Sequence, residues 1–193
     1  MSKIAVLVDG MFEDSEFRVP YDRLKAAGHT VDIVGLEAGR EVVGKTGKER
    51  VKIEKAARSV SERDYDALVI PGGYSPDHLR MDRDAVRLTR AMVVANKPVA
   101  AVCHAPWMLV EADVADDRLV TSWPSVKTDL INAGARWVDR EVVVDGNVIT
   151  SRKPDDLPAF SDAILDQLAH GVPERAAPVL APEAASEAQP RAH

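Results

Sequence analysis

Short apolar runs alternate with longer segments of mixed apolar and polar residues along most of the chain. Four of the runs are rich in β-branched or small apolar side chains, as in strands that are buried on both faces of a sheet. They are residues 3–8 (KIAVLV), 30–35 (TVDIVG), 66–70 (DALVI) and 98–102 (PVAAV). Helical segments lie between them, and this alternation predicts an α/β domain with a mostly parallel central sheet and helices on both faces.

The first predicted helix begins and ends at residues that commonly bound helices. Ser15 is a typical N-terminal cap, and Gly28 is a typical stop. Four further helices are predicted by apolar periodicity. They run from about residue 82 to 95, from just after residue 103 to about residue 112, and over residues 125–135 and 157–171.

Two segments that alternate around glycines predict β-hairpins. Residues 41–54 contain Gly44 and Gly47, and residues 141–151 contain the sequence Asp145-Gly146-Asn147 at their centre. Asp-Gly and Gly-Asn pairs favour the tight turns that connect antiparallel strands. The second hairpin is therefore expected to turn at one of these two pairs.

The periodic pattern stops near residue 172. The residues beyond it are rich in Ala, Pro and Glu and have no helical or strand period, which is typical of a flexible extension. We therefore predict one domain over residues 1–171 and a C-terminal extension over residues 172–193.

The only cysteine lies at the end of an apolar run, in the sequence PVAAVCHAPW. Cys103 follows a predicted strand and precedes a predicted helix. Ligands of parallel α/β proteins bind beyond the carboxyl ends of the strands. Two other strand ends carry unusual residues, since one leads through Asp9-Gly10 to Glu13 and another through Pro71-Gly72-Gly73 to Asp77-His78. The convergence of these three strand ends predicts a site, although a lone cysteine in an apolar run is more often core filler.

The surroundings of Cys103 suggest a reactive thiol. A tight strand-to-helix turn pushes the side chain outward and is expected to strain the backbone at Cys103, and the positive end of a helix favours the thiolate. Gly72 and Gly73 allow close approach of a backbone amide to a reacting oxygen, so Gly73 and the amide of His104 are predicted to form an oxyanion hole. The side chain of His104 need not face Cys103, because adjacent helical side chains diverge.

Composition and charge exclude several classes of protein. With 193 residues, a formal net charge of −6 and no basic block, the chain is not expected to bind nucleic acid. One cysteine permits no internal disulfide, and no apolar run is long enough for a membrane span or a secretory signal. No metal-ligand spacing, GxGxxG motif or P-loop is present. We expect a soluble cytoplasmic protein that needs no metal or cofactor.

The chain resembles the PfpI intracellular-protease family, in the superfamily of the Parkinson-linked protein deglycase and the class I glutamine amidotransferases. Five stretches carry the resemblance, and they follow the family order over roughly residues 3–168. They are KIAVLVDGMFEDSEF, LKAAGHTVDIVG, DALVIPGGYSPDHLR, KPVAAVCHAPWMLVEADV and DLINAGARWVDREVVVDGNVITSRKPDDLPAF. For the predicted domain, residues 1–171, the resemblance implies a flavodoxin-like three-layer sandwich.

The resemblance also implies roles for individual residues. Cys103 would be the nucleophile, Glu13 would hydrogen-bond to its sulfur, and His104 would be the partner base. An acid near Asp77 would be contributed from a neighbouring subunit, which implies a homodimer or a larger assembly of dimers. Without the family, Glu13 would more often be a solvated or helix-terminal charge, and Asp77 would more often be a turn or cap residue.

The sequence departs from the family at two positions, with Ala105 where the family usually has glycine and Asp77 where its peptidases usually have glutamate. The shorter Asp77 would reach less far toward His104, which weakens the case for an efficient peptidase. Three functions remain open: a stress-protective hydrolase that repairs aldehydes as a glyoxalase or deglycase, an oxidation sensor without turnover, and an intracellular cysteine peptidase. The expected substrates are accordingly small aldehydes, glycated compounds or peptides.

Overall fold

The computed structural model describes residues 1–175, and a seven-stranded sheet forms the centre of this part of the chain. The strands are β1 (Lys3–Leu7), β2 (Thr30–Gly35), β3 (Glu41–Val43), β4 (Arg50–Lys52), β5 (Lys55–Ala56), β6 (Ala67–Ile70), β7 (Val99–Val102), β8 (Leu119–Val120), β9 (Arg136–Trp137), β10 (Val142–Asp145) and β11 (Val148–Ser151). The order across the main sheet is β10-β11-β7-β6-β1-β2-β5, and only β10 and β11 pair antiparallel. The predicted mostly parallel sheet is confirmed.

Helices cover both faces of this sheet. They are α1 (Asp14–Ala26), α2 (Ser75–Leu79), α3 (Arg83–Val94), α4 (Trp107–Glu111), α5 (Lys127–Asn132) and α6 (Leu157–His170). The apolar faces of α1 and α6 pack with one side of the sheet through residues such as Phe17 and Phe160. Those of α3 and α4 pack with the other side through residues such as Leu88 and Met108. The side chains of β1 alternate between these two cores, which makes the domain a three-layer α/β sandwich.

Both predicted hairpins are present. Strands β3 and β4 pair antiparallel as a separate ribbon, and β10 and β11 pair across a turn at Gly146-Asn147. A short parallel pair of β8 with β9 was not predicted by the sequence pattern, because each strand has only two residues.

Several predicted helix boundaries differ from the structure by one to a few residues. The first helix begins at Asp14 with Glu13 at the cap position, so the prediction of a cap at Ser15 is wrong by two residues. The last helix ends at His170, next to Gly171 in the left-handed conformation. The predicted C-terminal extension comprises residues 172–193, and residues 176–193 of it lie outside the described part of the chain. The division into a domain and an extension therefore stays a prediction. None of the helices in residues 1–175 combines the length and apolar character that crossing a membrane requires.

Candidate active site

Cys103 occupies a sharp turn directly after β7. Its φ of 63° lies in the left-handed region, which is strained for any residue with a side chain. Backbone hydrogen bonds hold the turn on both sides: Cys103 N donates to Ser151 O at 3.0 Å, and Trp123 N donates to Cys103 O at 2.9 Å. Both the predicted position at a strand end and the predicted backbone strain are confirmed. Helix α4 begins only at Trp107, three residues beyond His104.

The Gly72-Gly73 loop after β6 lies against Cys103. A Cβ atom on Gly72 would lie 2.6 Å from Glu16 Oε2 and 2.7 Å from Cys103 Cβ, so only glycine fits between these side chains. Gly73 has a φ of 72°, which also favours glycine. The amide groups of Gly73 and His104 lie close enough to the sulfur to lower the pKa of the thiol. These are the two amides predicted to form the oxyanion hole.

The carboxyl group next to the sulfur belongs to Glu16. Its side chain is fully buried in the first turn of α1, and its Oε2 accepts a hydrogen bond from Gly72 N at 2.9 Å. Burial is the main cause that raises the pKa of Glu16 to about 8, and the charge of Glu13 raises it further. Glu16 is therefore mostly protonated at neutral pH. Its Oε1 has no hydrogen bond of acceptable geometry within residues 1–175, although the carboxyl and the thiol lie close enough to interact directly.

The prediction that Glu13 contacts the sulfur is therefore wrong. Glu13 lies at the cap position of α1, and its carboxylate pairs with the ammonium group of Lys45. Because the helix begins at Asp14, Glu16 in the first turn points inward toward the sheet and Cys103. The family resemblance implied this contact for Glu13, and the structure gives it to Glu16, three residues further along the chain.

His104 does face Cys103. The Nδ1 atom of His104 lies 3.2 Å from Cys103 Sγ, and Nε2 lies 3.3 Å from the hydroxyl of Ser125. Burial lowers the pKa of His104, and the charge of Lys45 lowers it further. The imidazole is therefore neutral at pH 7 and can accept a proton. Side-chain divergence does not separate the pair, because Cys103 lies in a left-handed turn and not in a helix.

Asp77 does not approach His104 within the described chain. It is exposed on α2 and lines a groove that also contains Arg80 and Arg83. The neighbouring His78 faces Asp9, with its Nδ1 3.6 Å from Asp9 Oδ2, so it does not substitute for Asp77 at the site. The contribution of an acid near Asp77 across a subunit interface stays a prediction, since it concerns a second chain.

Burial raises the pKa of the Cys103 thiol, and a charged Glu16 would raise it further. The predicted lowering of this pKa by a helix N-terminus is therefore wrong for the resting site. Two features explain the difference: the side chain is only 7% exposed, and α4 is a five-residue helix that begins at Trp107. At neutral pH the resting pair thus consists of a thiol and a protonated carboxyl.

A cavity of about 320 Å³ opens onto the sulfur. It is lined by Glu13, Glu16, Lys45, Gly73, Tyr74, Cys103, His104, Trp123 and Pro154. This volume is at the small end for ligand sites and suits a small molecule or one side chain. Within residues 1–175 no group of three or more His, Cys, Asp or Glu residues is arranged to hold a metal ion. Lys45, Trp123 and Ser125 were not predicted as site residues, because they follow no strand of the main sheet.

The domain is thus a mostly parallel α/β sandwich that carries a cysteine on a strained turn after a strand, beside a buried carboxyl group. The chain belongs to the DJ-1/PfpI family, whose profile matches residues 2–167. It is 48% identical to Protein/nucleic acid deglycase 2 of Escherichia coli over 160 residues, which cover 82% of this chain and 93% of that protein. It is 45% identical to Deglycase PfpI of Pyrococcus furiosus over 158 residues, covering 82% and 94% of the two chains.

The fold is also similar to that of a solved structure. A two-domain protein of Anabaena variabilis, with DJ-1/ThiJ/PfpI-like and ferritin-like domains, superposes with a TM-score of 0.87 at 38% identity. The match covers 89% of this chain and 49% of the other, so the chain spans about half the length of that protein.

Proposed function

We propose that the protein is a cysteine-dependent hydrolase that repairs reactive aldehydes, acting as a glyoxalase on free 2-oxoaldehydes and as a deglycase on their adducts with amines. The observation that carries the proposal is the 3.2 Å approach of Cys103 Sγ to the neutral His104 Nδ1 inside a small cavity. The deglycase names of the relatives at 45–48% identity support the same reaction class.

In the first step the sulfur attacks the aldehyde carbon of the substrate. The S–C bond forms, the carbonyl electron pair moves to oxygen, and the thiol proton passes to His104 Nδ1. The amides of Gly73 and His104 stabilise the negative oxygen, which takes up a proton to give a hemithioacetal. A glycated amine reaches the same intermediate when the S–C bond forms, the C–N bond breaks and the amine leaves with a proton.

In the second step the former aldehyde carbon loses its proton and the neighbouring ketone carbon gains one. The first carbon is oxidised to a thioester and the second is reduced to an alcohol, so the reaction is an internal redox exchange that needs no external oxidant. Glu16 is suited to this proton transfer because it is buried, protonated at rest and adjacent to the sulfur. It gives its proton to the negative oxygen formed in the first step, and the resulting carboxylate takes the proton from the first carbon and delivers it to the second. The hydroxyl proton of the hemithioacetal moves to the former ketone oxygen. Water then cleaves the thioester and releases a 2-hydroxy acid and the free thiol.

Peptide hydrolysis is supported less well. The cavity of about 320 Å³ is too small for an extended peptide, and within residues 1–175 His104 contacts Ser125 and no carboxylate. A Cys-His pair without an orienting acid is a weak peptidase site.

The proposal is tested by measuring the loss of methylglyoxal, the deglycation of an arginine adduct and the hydrolysis of a peptide. We expect aldehyde turnover in the wild type, none in Cys103→Ala, and a loss of about 10²–10⁴-fold in kcat for Glu16→Gln. Glu13→Gln makes the same substitution three residues away, at a carboxylate that pairs with Lys45 and does not contact the sulfur, and should retain most of the rate. Circular dichroism of each variant separates loss of catalysis from loss of folding.

Three results would contradict the proposal. Wild-type protein that is inert toward both aldehyde substrates but oxidised by peroxide at Cys103 would indicate an oxidation sensor. Hydrolysis of the peptide alone would indicate a peptidase. Equal losses in Glu13→Gln and Glu16→Gln would contradict the assignment of the proton transfer to Glu16.

A further inference from the structure

Lys45 is the one lysine or arginine among the described residues that line the cavity. It shares this cavity with Cys103 and His104, although it comes from the loop of the β3–β4 hairpin and not from the main sheet. Its charge is close enough to lower the pKa of His104. The aldehyde chemistry described above assigns no task to this cation.

The backbone of the hairpin loop is held firmly against α1. Lys45 N donates to Phe12 O at 2.8 Å, and the carboxylate of Asp14 accepts hydrogen bonds from Thr46 N at 3.0 Å and Glu49 N at 2.9 Å. The Lys45 side chain therefore enters the cavity from a fixed backbone. Such preorganisation is typical of a side chain that recognises a ligand.

The ammonium group of Lys45 retains unused hydrogen-bonding capacity toward the cavity. It has three donors, and Glu13 pairs with one side of the group. The Lys45 side chain is 40% exposed while that of Glu13 is 13% exposed, so a ligand entering the cavity meets the cation more readily than the carboxylate. Glu13 raises the pKa of Lys45, which keeps the group charged at neutral pH.

We propose that Lys45 is a specificity residue that binds the carboxylate of an anionic substrate, so that the site prefers 2-oxoaldehydes bearing a carboxylate over uncharged ones. Glu13 pairs with the ammonium group and holds it in position. The assignment of the substrate class rests on the proposed aldehyde chemistry. The preference of the cavity for anions does not depend on that chemistry, so the substrate class and the anion preference can be tested separately.

The anion preference is measured by alkylating Cys103 with iodoacetate and with iodoacetamide, reagents of similar size that differ in charge. Cys103 is the only cysteine of the chain, so intact mass reports its reaction directly. A change in the reactivity of the thiol affects both rate constants equally and therefore cancels in their ratio. Lys45→Met should lower the iodoacetate-to-iodoacetamide ratio by about tenfold, the low end for a charged hydrogen bond, because the side chain is partly exposed.

Three further variants provide the controls for this ratio. Lys48→Met removes the same charge from the same hairpin, but Lys48 does not line the cavity, so the ratio should change less than twofold. Lys45→Arg should keep most of the preference. Glu13→Gln leaves an acceptor for Lys45 but removes the negative charge, so the ratio should rise severalfold. Equal effects of Lys45→Met and Lys48→Met would overturn the proposal, because they would indicate only general charge attraction.

The substrate class is tested with 4,5-dioxovalerate and 2-oxopentanal, which differ by a carboxylate in place of a methyl group. Lys45→Met should raise KM for 4,5-dioxovalerate by about tenfold with little change in kcat, and should leave 2-oxopentanal almost unaffected. A similar rise in KM for both compounds would overturn this assignment. If the wild type turned over neither compound, the proposed function would fail, while the alkylation ratio would still decide whether Lys45 binds anions.

Discussion

Glu16→Gln should make the stability of the protein less sensitive to alkaline pH. The folded pKa of Glu16 is about 8 against an ordinary value of 4.5, because burial penalises the charged carboxylate. Between these two values the folded state holds a proton that the unfolded state has lost. Unfolding then releases this proton, so wild-type stability falls as the pH rises toward about 8. Glutamine has nearly the same shape and can accept the hydrogen bond from Gly72 N, but it has no proton to lose.

The size of the change in unfolding free energy follows from the width of this pH window. Linkage gives a slope of about 1.4 kcal/mol per pH unit for one proton. From about pH 5.5 to about pH 7.5 the variant should therefore gain roughly 3 kcal/mol over the wild type, or about 6–12 °C in Tm. Urea unfolding followed by tryptophan fluorescence measures the difference at each pH. All other titrating groups are common to the two proteins and cancel in the comparison.

The control for this experiment is the same substitution in a Cys103→Ala background. Burial is the largest cause of the raised Glu16 pKa, so the pH dependence should persist without the thiol. A difference between wild type and Glu16→Gln that stays constant within about 0.5 kcal/mol over this range would refute the assignment of a buried proton to Glu16.

Two further predictions concern the packing of the site and the assembly. Gly72→Ala should cost about 1–3 kcal/mol and lower turnover by about 10²-fold, because the new Cβ would lie within 2.8 Å of Glu16, Cys103 and the carbonyl of Val102. Gly10→Ala is the matched control, since its Cβ would meet nothing within 4 Å, and equal losses in both variants would contradict the steric argument. Light scattering should give a homodimer or larger assembly, as the family resemblance implies, and a mass near 21.0 kDa at micromolar concentration would contradict it.

The sheet and the position of Cys103 at a strand end could be predicted because their sequence signals are local. A run of buried β-branched residues defines each central strand, and the ends of parallel strands meet at one edge of the sheet. Cys103 and the Gly72-Gly73 loop follow two such strands directly, so their proximity required no knowledge of the helices. The strained φ of Cys103 follows from the same tight connection.

The glutamate could not be chosen from the sequence, because its identity depends on the phase of a helix. Glu13 and Glu16 are separated by nearly one helical turn, and both line the cavity. With the cap at Glu13, Glu16 lies in the first turn of the helix and is buried against Gly72. The family resemblance implied the contact for Glu13, and only the way that α1 lies on the sheet shows that Glu16 makes it.

Lys45 was missed for a different reason. It lies on a hairpin outside the main sheet, and its neighbours in the sequence are glycine, threonine and lysine, which are typical of any exposed turn. Its place in the cavity arises from the hydrogen bonds between this loop and the start of α1, in particular those accepted by Asp14. These contacts join residues about 30 positions apart, and no local pattern indicates them.

The resting state of Cys103 bears on the choice between an aldehyde-repair enzyme and an oxidation sensor. Peroxide reacts with thiolates, so a sensor depends on a low thiol pKa and an accessible sulfur. Here burial raises the pKa of Cys103, and its side chain is only 7% exposed. An enzyme does not need a permanent thiolate, because His104 Nδ1 at 3.2 Å can take the proton while the sulfur attacks a bound carbonyl. A proton acceptor, two amides and a protonated Glu16 lie together beside the sulfur. Together they meet the requirements of aldehyde addition and proton transfer, which is why we favour the enzyme.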